Sequence, residues 1–402
     1  MKKYYIKHES KLMLMSRKNQ LFTLFLLLTL LAYIFLLLPA EEHPESFNPA
    51  EMEQHLERVH AQQETRRDRG FTHMSPVRGT SYYAQREHYY LLHTKMLEAY
   101  ETNNVERFSR LRLDYILNNP RAYFAENHTF SLSLYVGQDR LKQYNSTLLK
   151  YQSLINRDEP LRFSMIEEKT ALQKLHELFS SPLTYLILFI ALYISCDVLI
   201  RDRYNPSVTQ GLPLSWYRTI NLKCAIAFGW TLMLIMGLIV LGTILIGIRF
   251  GLGDLGMQIP IKTDLTTYNI DAYDYQALGF ILLKSFTLML IIVWLLTRLS
   301  AWISLWIRNT WGVLLISSVF LFSEWMYFER RTYELFGIHL KYFPQTYFDF
   351  GQIADHEKNF LMYTEVFTFK QALIVLLITV LAIEIMIAIS AKWVTKRRFF
   401  QA

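Results

Sequence analysis

Cysteine is nearly absent: the 402-residue chain has two, Cys196 and Cys224, each at the end of an apolar run. The long polar block between residues 41 and 180 has none, so no disulfide framework holds it, and both thiols are expected to be free. Nucleotide signatures are missing too. No GxxxxGK[ST] loop occurs, and no glycine-rich dinucleotide turn follows a strand, so the chain carries no ATP site of its own. His55 and His60, like His88 and His93, are five residues apart rather than four and do not form a zincin pair. No metal site is therefore expected. No HExxH, paired aspartates or Ser/His pair lies on an apolar run, which leaves intramembrane hydrolysis as the weakest reading. Internal repeats and low-complexity tracts are also lacking.

What the chain has is hydrophobic length. It is 52% hydrophobic and 15% aromatic, and its apolar residues gather into runs long enough to cross a bilayer as helices of about 20 residues. The expectation is an all-α polytopic membrane protein with six transmembrane helices, over 21–38, 182–200, 224–248, 277–297, 310–323 and 370–390. The formal charge is +7. In the 41–180 block acids slightly outnumber bases, so the basic surplus sits in short segments beside the runs. That is the positive-inside pattern rather than a nucleic-acid patch, and no nucleic-acid partner is expected. Both termini are then cytoplasmic.

Residues 1–20 carry Lys2, Lys3, Lys7, Lys11, Arg17 and Lys18 against the single acid Glu9, with a possible elbow helix over Tyr4–Met15. Leu38-Pro39-Ala40-Glu41 is a poor cleavage site, so the first run is read as an uncleaved membrane helix and not as a signal peptide. Residues 39–181 form an extracellular domain, largely helical. Asn48-Pro49 offers a helix start, Ser164 with Glu167 a capping box, and Gln85–Asn118 and Gln138–Asn156 favour helix formers. Residues 249–276 are an outside loop. Residues 324–369, acidic and aromatic, are a second one, suited to a re-entrant path in the outer leaflet, and 391–402 form a cytoplasmic tail.

The polar break over 201–223 is patterned beyond the needs of a tether. Asn205-Pro206 marks a turn, Ser207 offers a helix cap, and Gly211 and Pro213 punctuate the stretch after that cap. Asp197 near the end of one membrane helix, then Gly211, Leu212, Pro213, Leu214 and Ser215, then Arg218, Ile220 and Lys223 opening the next, resembles the permease subunits of ABC type-2 transporters. Ser304, Arg308 and Asn309 before the fifth helix resemble the same family. It usually places a Glu before the Gly-Leu-Pro segment, where this chain has Asp197, Arg201 and Asp202. The resemblance implies a cytoplasmic coupling loop docking on a separate ATPase through Asp202, Ser207, Gly211, Leu212, Pro213, Leu214, Ser215, Arg218 and Lys223. It also implies a second permease copy or paralogue, with ATP and magnesium held by the ATPase partner. Export of a peptide, a lipid-like molecule or a hydrophobic compound from a bacterial plasma membrane is the expected activity.

Two ionisable residues fall well inside membrane helices, Lys284 and Glu384, and both are candidates for the substrate pathway. Their depths differ by about 10 Å at 1.5 Å per residue, which argues against a mutual pair. Two readings of other classes stay open. A membrane-anchored sensor or scaffold would tolerate changes in the 211–218 loop. An ion-gradient-driven carrier would depend on Lys284 or Glu384.

Overall fold

A computed structural model describes residues 2–73, 81–120, 123–124, 135–157, 160–204, 215–267 and 269–401. The protein is predominantly helical, and among the described residues six helices are long and apolar enough to cross a membrane. A short N-terminal helix, α1 (Lys2–Met15), turns at Ser16 into the first of the six, α2 (Arg17–Ala40). The polar block then contributes α3 (Pro49–Asp68), α4 (Tyr82–Glu101), α5 (Val105–Asn118), α6 (Val136–Ile155), the single turn α7 (Phe163–Ile166) and α8 (Ala171–Ser180). The next membrane-length helices are α9 (Thr184–Arg203) and α10 (Trp216–Phe250). A β-hairpin, β1 (Gln258–Lys262) with β2 (Tyr273–Ala277), leads into α11 (Leu278–Trp306) and α12 (Thr310–Tyr327). A two-residue ladder, β3 (Glu334–Leu335) with β4 (Ile338–His339), precedes the short helices α13 (Phe350–Ala354) and α14 (Glu357–Met362). The chain finishes with α15 (Phe369–Trp393) and α16 (Lys396–Gln401).

Several elements differ from the sequence expectation. The stretch 249–276, read as a loop, holds the antiparallel hairpin, with Pro260 opposite Tyr275. The capping box at Ser164 and Glu167 does not form. α7 ends after one turn, and Glu168 takes a left-handed backbone (φ 55°). Partners distant in sequence take over the turn: Lys150 Nζ donates to the Ile166 carbonyl at 2.8 Å and pairs with Glu168 at 2.6 Å. The backbone of Ala171 and Leu172 then bonds across to Gly251 and Leu252. Tertiary hydrogen bonds here outweigh the local capping preference.

The bundle is centred on α11, which packs against α9, α10, α12 and α15 and is buried along most of its length. α2, α12 and α15 leave broad apolar faces exposed, such as Leu24, Leu28, Leu315, Val319, Ile378 and Leu381. Lipid tails would cover such faces. The polar block sits at one end of the bundle with the β1–β2 hairpin and the 328–368 connection. Arg330 forks onto Asp139 (3.0 and 2.8 Å), Lys142 pairs with Glu357, and Arg157 with Asp254. Beneath them, Lys358 Nζ is shared by Glu324 (2.5 Å) and Asp349 (2.7 Å), and Tyr185 donates to Glu324 at 2.7 Å. Burial opposes the Lys358 charge, but the two carboxylates outweigh it and hold its pKa above the ordinary lysine value.

The polar block shares one hydrophobic core with the bundle. Leu92, Met96, Phe108 and Tyr151 pack from three helices around an Arg112–Glu45 pair (3.0 Å) to which Tyr151 donates at 2.8 Å. His93 is buried beside them, its Nδ1 2.9 Å from the Tyr89 carbonyl. Burial, helped by Arg112 and His55, pulls its pKa from 6.5 to about 4. An imidazole kept neutral in the fold is charged first in the unfolded chain. Its stabilising contribution is complete above about pH 6.5 and fades as pH falls toward about 4. Acidifying from about pH 7.5 to about pH 5 should therefore cost this block about 2 kcal/mol. Unfolding midpoints at the two pH values measure it, and a His93→Gln chain should lose most of the difference.

Candidate functional site

The end of the bundle opposite the polar block collects both termini and the flanks of the polar segment. Its geometry begins with α1. Tyr5, Glu9 and Met13 stand one turn apart and are all buried, forming a single stripe that faces α10. On α10 the matching stripe is Trp216, Thr219, Ile220, Lys223, Cys224 and Ala227, spaced three and four apart. Lys223 is the charged member of that stripe, and its side chain is 0% exposed.

Its ammonium lies 2.9 Å from Glu9 Oε1, 2.7 Å from Asp202 Oδ1 and 3.5 Å from the Val198 carbonyl. The second Glu9 oxygen accepts Arg201 Nη2 at 3.0 Å. Two acids and two bases from α1, α9 and α10 thus close a neutral, largely buried cluster, which is the condition under which buried charge is tolerated. Tyr5 lies against it; burial, then the Glu9 and Asp202 charges, push its phenol pKa well above the usual value.

Three further contacts fasten the same end. Lys18 bridges Asp197 (3.0 Å) and the Tyr193 carbonyl (2.8 Å). Arg203 Nη2 donates to the Ser304 and Leu305 carbonyls at 3.3 and 3.1 Å, and its guanidinium lies 4.1 Å from the Phe399 ring centre. Trp216 packs on Phe399 at 4.9 Å. The turn between α11 and α12 is capped by Asn309, whose side chain accepts from Trp311 N at 3.0 Å.

Of the residues expected to dock a partner, Ser207, Gly211, Leu212, Pro213 and Leu214 lie outside the described residues. Ser215 occupies the N-cap position of α10 without a side-chain cap bond. Arg218 is exposed on the first turn. Asp202 and Lys223 are brought together in the buried cluster. One correction concerns the extent of the segment: residues 216–223 are not loop but the opening two turns of a 35-residue helix. The stretch WYRTINLK has no glycine or proline and continues the buried stripe of the apolar run behind it, so nothing stops the helix before Ser215.

The two intramembrane candidates stand apart from each other. Lys284 reaches back to Gln276 Oε1 at 3.1 Å and lies over the Phe280 ring. Glu384 pairs with Arg298, which stands just past the expected end of its helix at 297. The helix continues eight residues past Arg298, to Trp306, which puts the guanidinium within the bundle. Glu9 was likewise passed over. The available signal was its position as the sole acid of a basic segment, one turn from Tyr5 and one from Met13. Among the described residues, no three His, Cys, Asp or Glu side chains converge as metal ligands. Comparisons with protein-family models, with curated proteins and with solved structures find no match to this chain.

Proposed function

We propose that this chain is the membrane-spanning permease subunit of a transporter of the ATP-binding cassette type, driven by a separate ATPase that docks around residues 201–218. The observation that carries the reading is the Lys223 cluster. It ties the end of α9 and the start of α10 to α1, so a push on the segment between them is delivered to two membrane helices and the N-terminal helix together. A tether that only reversed the chain would need no such anchoring. Tyr217 and Arg218, exposed on the first turn of α10, offer the partner a polar and aromatic surface beside the segment.

The basic residues set the orientation. Lys7, Lys11, Arg17, Lys18, Arg201, Arg203, Arg218, Arg308, Lys392 and Lys396 all belong to the cluster end, which the positive-inside rule assigns to the cytoplasm. The polar block is then extracellular, and the protein sits in a plasma membrane, as a bacterial exporter would. A second permease copy or a paralogue completes the pathway, ATP and magnesium belong to the ATPase, and the cargo is a peptide, a lipid-like molecule or a hydrophobic compound. An ion-gradient carrier is disfavoured because the carboxylates within the membrane-length helices, Asp197, Asp202, Glu324 and Glu384, are each paired with Lys or Arg.

The test is purification of the tagged chain from its native cells in mild detergent, assayed for a bound ATPase. The expected result is a stoichiometric nucleotide-binding subunit that is lost when residues 207–214 are replaced by a Gly/Ser linker. A preparation without ATPase activity, or one that keeps it after the replacement, would sink the coupling role and favour the sensor or scaffold reading.

A further inference from the structure

The Arg298–Glu384 pair lines a cavity of about 460 Å³ at the cytoplasmic end of α10, α11 and α15. Its walls reflect helix spacing. Arg218, Asn221, Leu222 and Ala225 are the i, i+3, i+4 and i+7 positions of one face of α10, and Trp294 and Arg298 are i and i+4 on α11. At 1.5 Å per residue, Arg218 lies about 3 Å from the start of its helix, and Ala225 about 14 Å. Arg298 and Glu384 lie about 12 and 14 Å from the same end of theirs. The cavity therefore has one arginine at its mouth and one at its floor.

The floor arginine is the informative residue. Arg298 is 1% exposed. Its Nη2 donates to Asn221 Oδ1 at 2.8 Å and to Glu384, and Trp294 lies against the guanidinium at 5.4 Å. Nε and Nη1 meet no oxygen or nitrogen acceptor among the described residues, and the Cys224 thiol beside the group is at best a weak acceptor. A buried guanidinium with unused donors is costly unless something else completes it. Glu384, by contrast, is 26% exposed and set against the cavity. Two cations against one anion leave the site one positive charge in excess. Leu222, Ala225 and Trp294 make the rest of the wall apolar.

We infer that this cavity binds an amphiphile with a single anionic head group, a phosphate ester or a carboxylate, entering from the cytoplasmic leaflet. The head group is shared between Arg218 and Arg298, and the first methylenes of the tail lie on Leu222, Ala225 and Trp294. Glu384 neutralises Arg298 in the empty site and gives way to the incoming anion. The inference rests on the permease reading only for calling this ligand cargo; binding requires no ATPase.

The experiment measures binding to the purified chain, without ATPase, by native mass spectrometry in detergent. The probes are phosphatidylglycerol, phosphatidylcholine and soluble glycerol 3-phosphate. Phosphatidylglycerol is expected to bind about tenfold or more tightly than either of the others, the scale of one charge-assisted hydrogen bond. Arg218→Gln, an exposed change, should remove most of that preference. Arg298→Gln combined with Glu384→Gln, which leaves no buried charge unpaired, should abolish it. Glu384→Gln alone removes the competing acid and should tighten phosphatidylglycerol. Lys392→Gln, at the same end but off the cavity, should change nothing.

Equal affinity for the two lipids would overturn the site, as would a loss in Lys392→Gln as large as in Arg218→Gln. Equal affinity for soluble glycerol 3-phosphate would overturn the amphiphile. Failure to find an ATPase in the earlier purification bears only on the permease reading.

Discussion

A Gly351→Ala chain is expected to lose more than about 3 kcal/mol of stability, above the usual range for one added methyl, because the obstacle is backbone. Gly351 is the second residue of α13, where that helix crosses the end of α8. A Cβ there would fall on the Phe179 carbonyl, far inside van der Waals contact, and 2.6 Å from Ser180 N. Neither atom can rotate away as a side chain could. The contact is reinforced on both sides: Gln352 Nε2 donates to the Ser180 carbonyl at 3.0 Å, Ser180 Oγ to Asp355 at 2.7 Å, and Phe350 meets Phe179 edge-on at 5.2 Å. α8 is the strut between the polar block and α9, so lifting α13 from it loosens the block from the bundle. A lowered unfolding midpoint in detergent, with new protease cleavage near Ser181, is the expected record. Gly137→Ala, with nothing within 4 Å of its Cβ, is the control and should be neutral or slightly stabilising. A Gly351→Ala midpoint equal to that of the parent chain would mean that α13 does not rest on α8.

The distribution of hydrophobic length made the six membrane-scale helices legible, because that signal needs no partner: about twenty apolar residues can hardly be placed otherwise. Where the helices end was less legible. At α10 and α11 the reading stopped at the first charge, yet Lys223 and Arg298 lie inside their helices, each paired with an acid from another helix. That acid is remote in sequence: Glu9 precedes Lys223 by 214 residues, and Glu384 lies 86 beyond Arg298. Pairings at that separation leave no local pattern. The β1–β2 hairpin was missed for a related reason. Gln258–Lys262 and Tyr273–Ala277 are joined by a ten-residue connection without a two-residue turn signal, and their polar residues read as loop. The cavity beneath Arg218 was illegible for the same cause, since it needs three helices brought together and a guanidinium just past the expected helix end at 297.

Lys223→Met should be about as damaging as the glycine change, for an electrostatic reason. Removing the ammonium leaves Asp202 and one oxygen of Glu9 buried without their cation, and breaking a buried pair in this way costs about 3–5 kcal/mol. The unfolding midpoint should fall accordingly. A triple chain carrying Glu9→Gln, Asp202→Asn and Lys223→Met removes the orphaned charges together with the base and leaves only Arg201, whose side chain is 21% exposed, so it should recover much of the loss. That recovery separates stability from function. If the cluster transmits force from an ATPase, the triple chain should insert, hold its midpoint and still bind the ATPase through residues 201–218, yet lose most ATP-driven transport, since α1 and α10 no longer move with the segment. A triple chain that transports at the parental rate would show that the cluster only stabilises the bundle. A Lys223→Met chain as stable as its parent would remove the anchoring on which the coupling proposal stands.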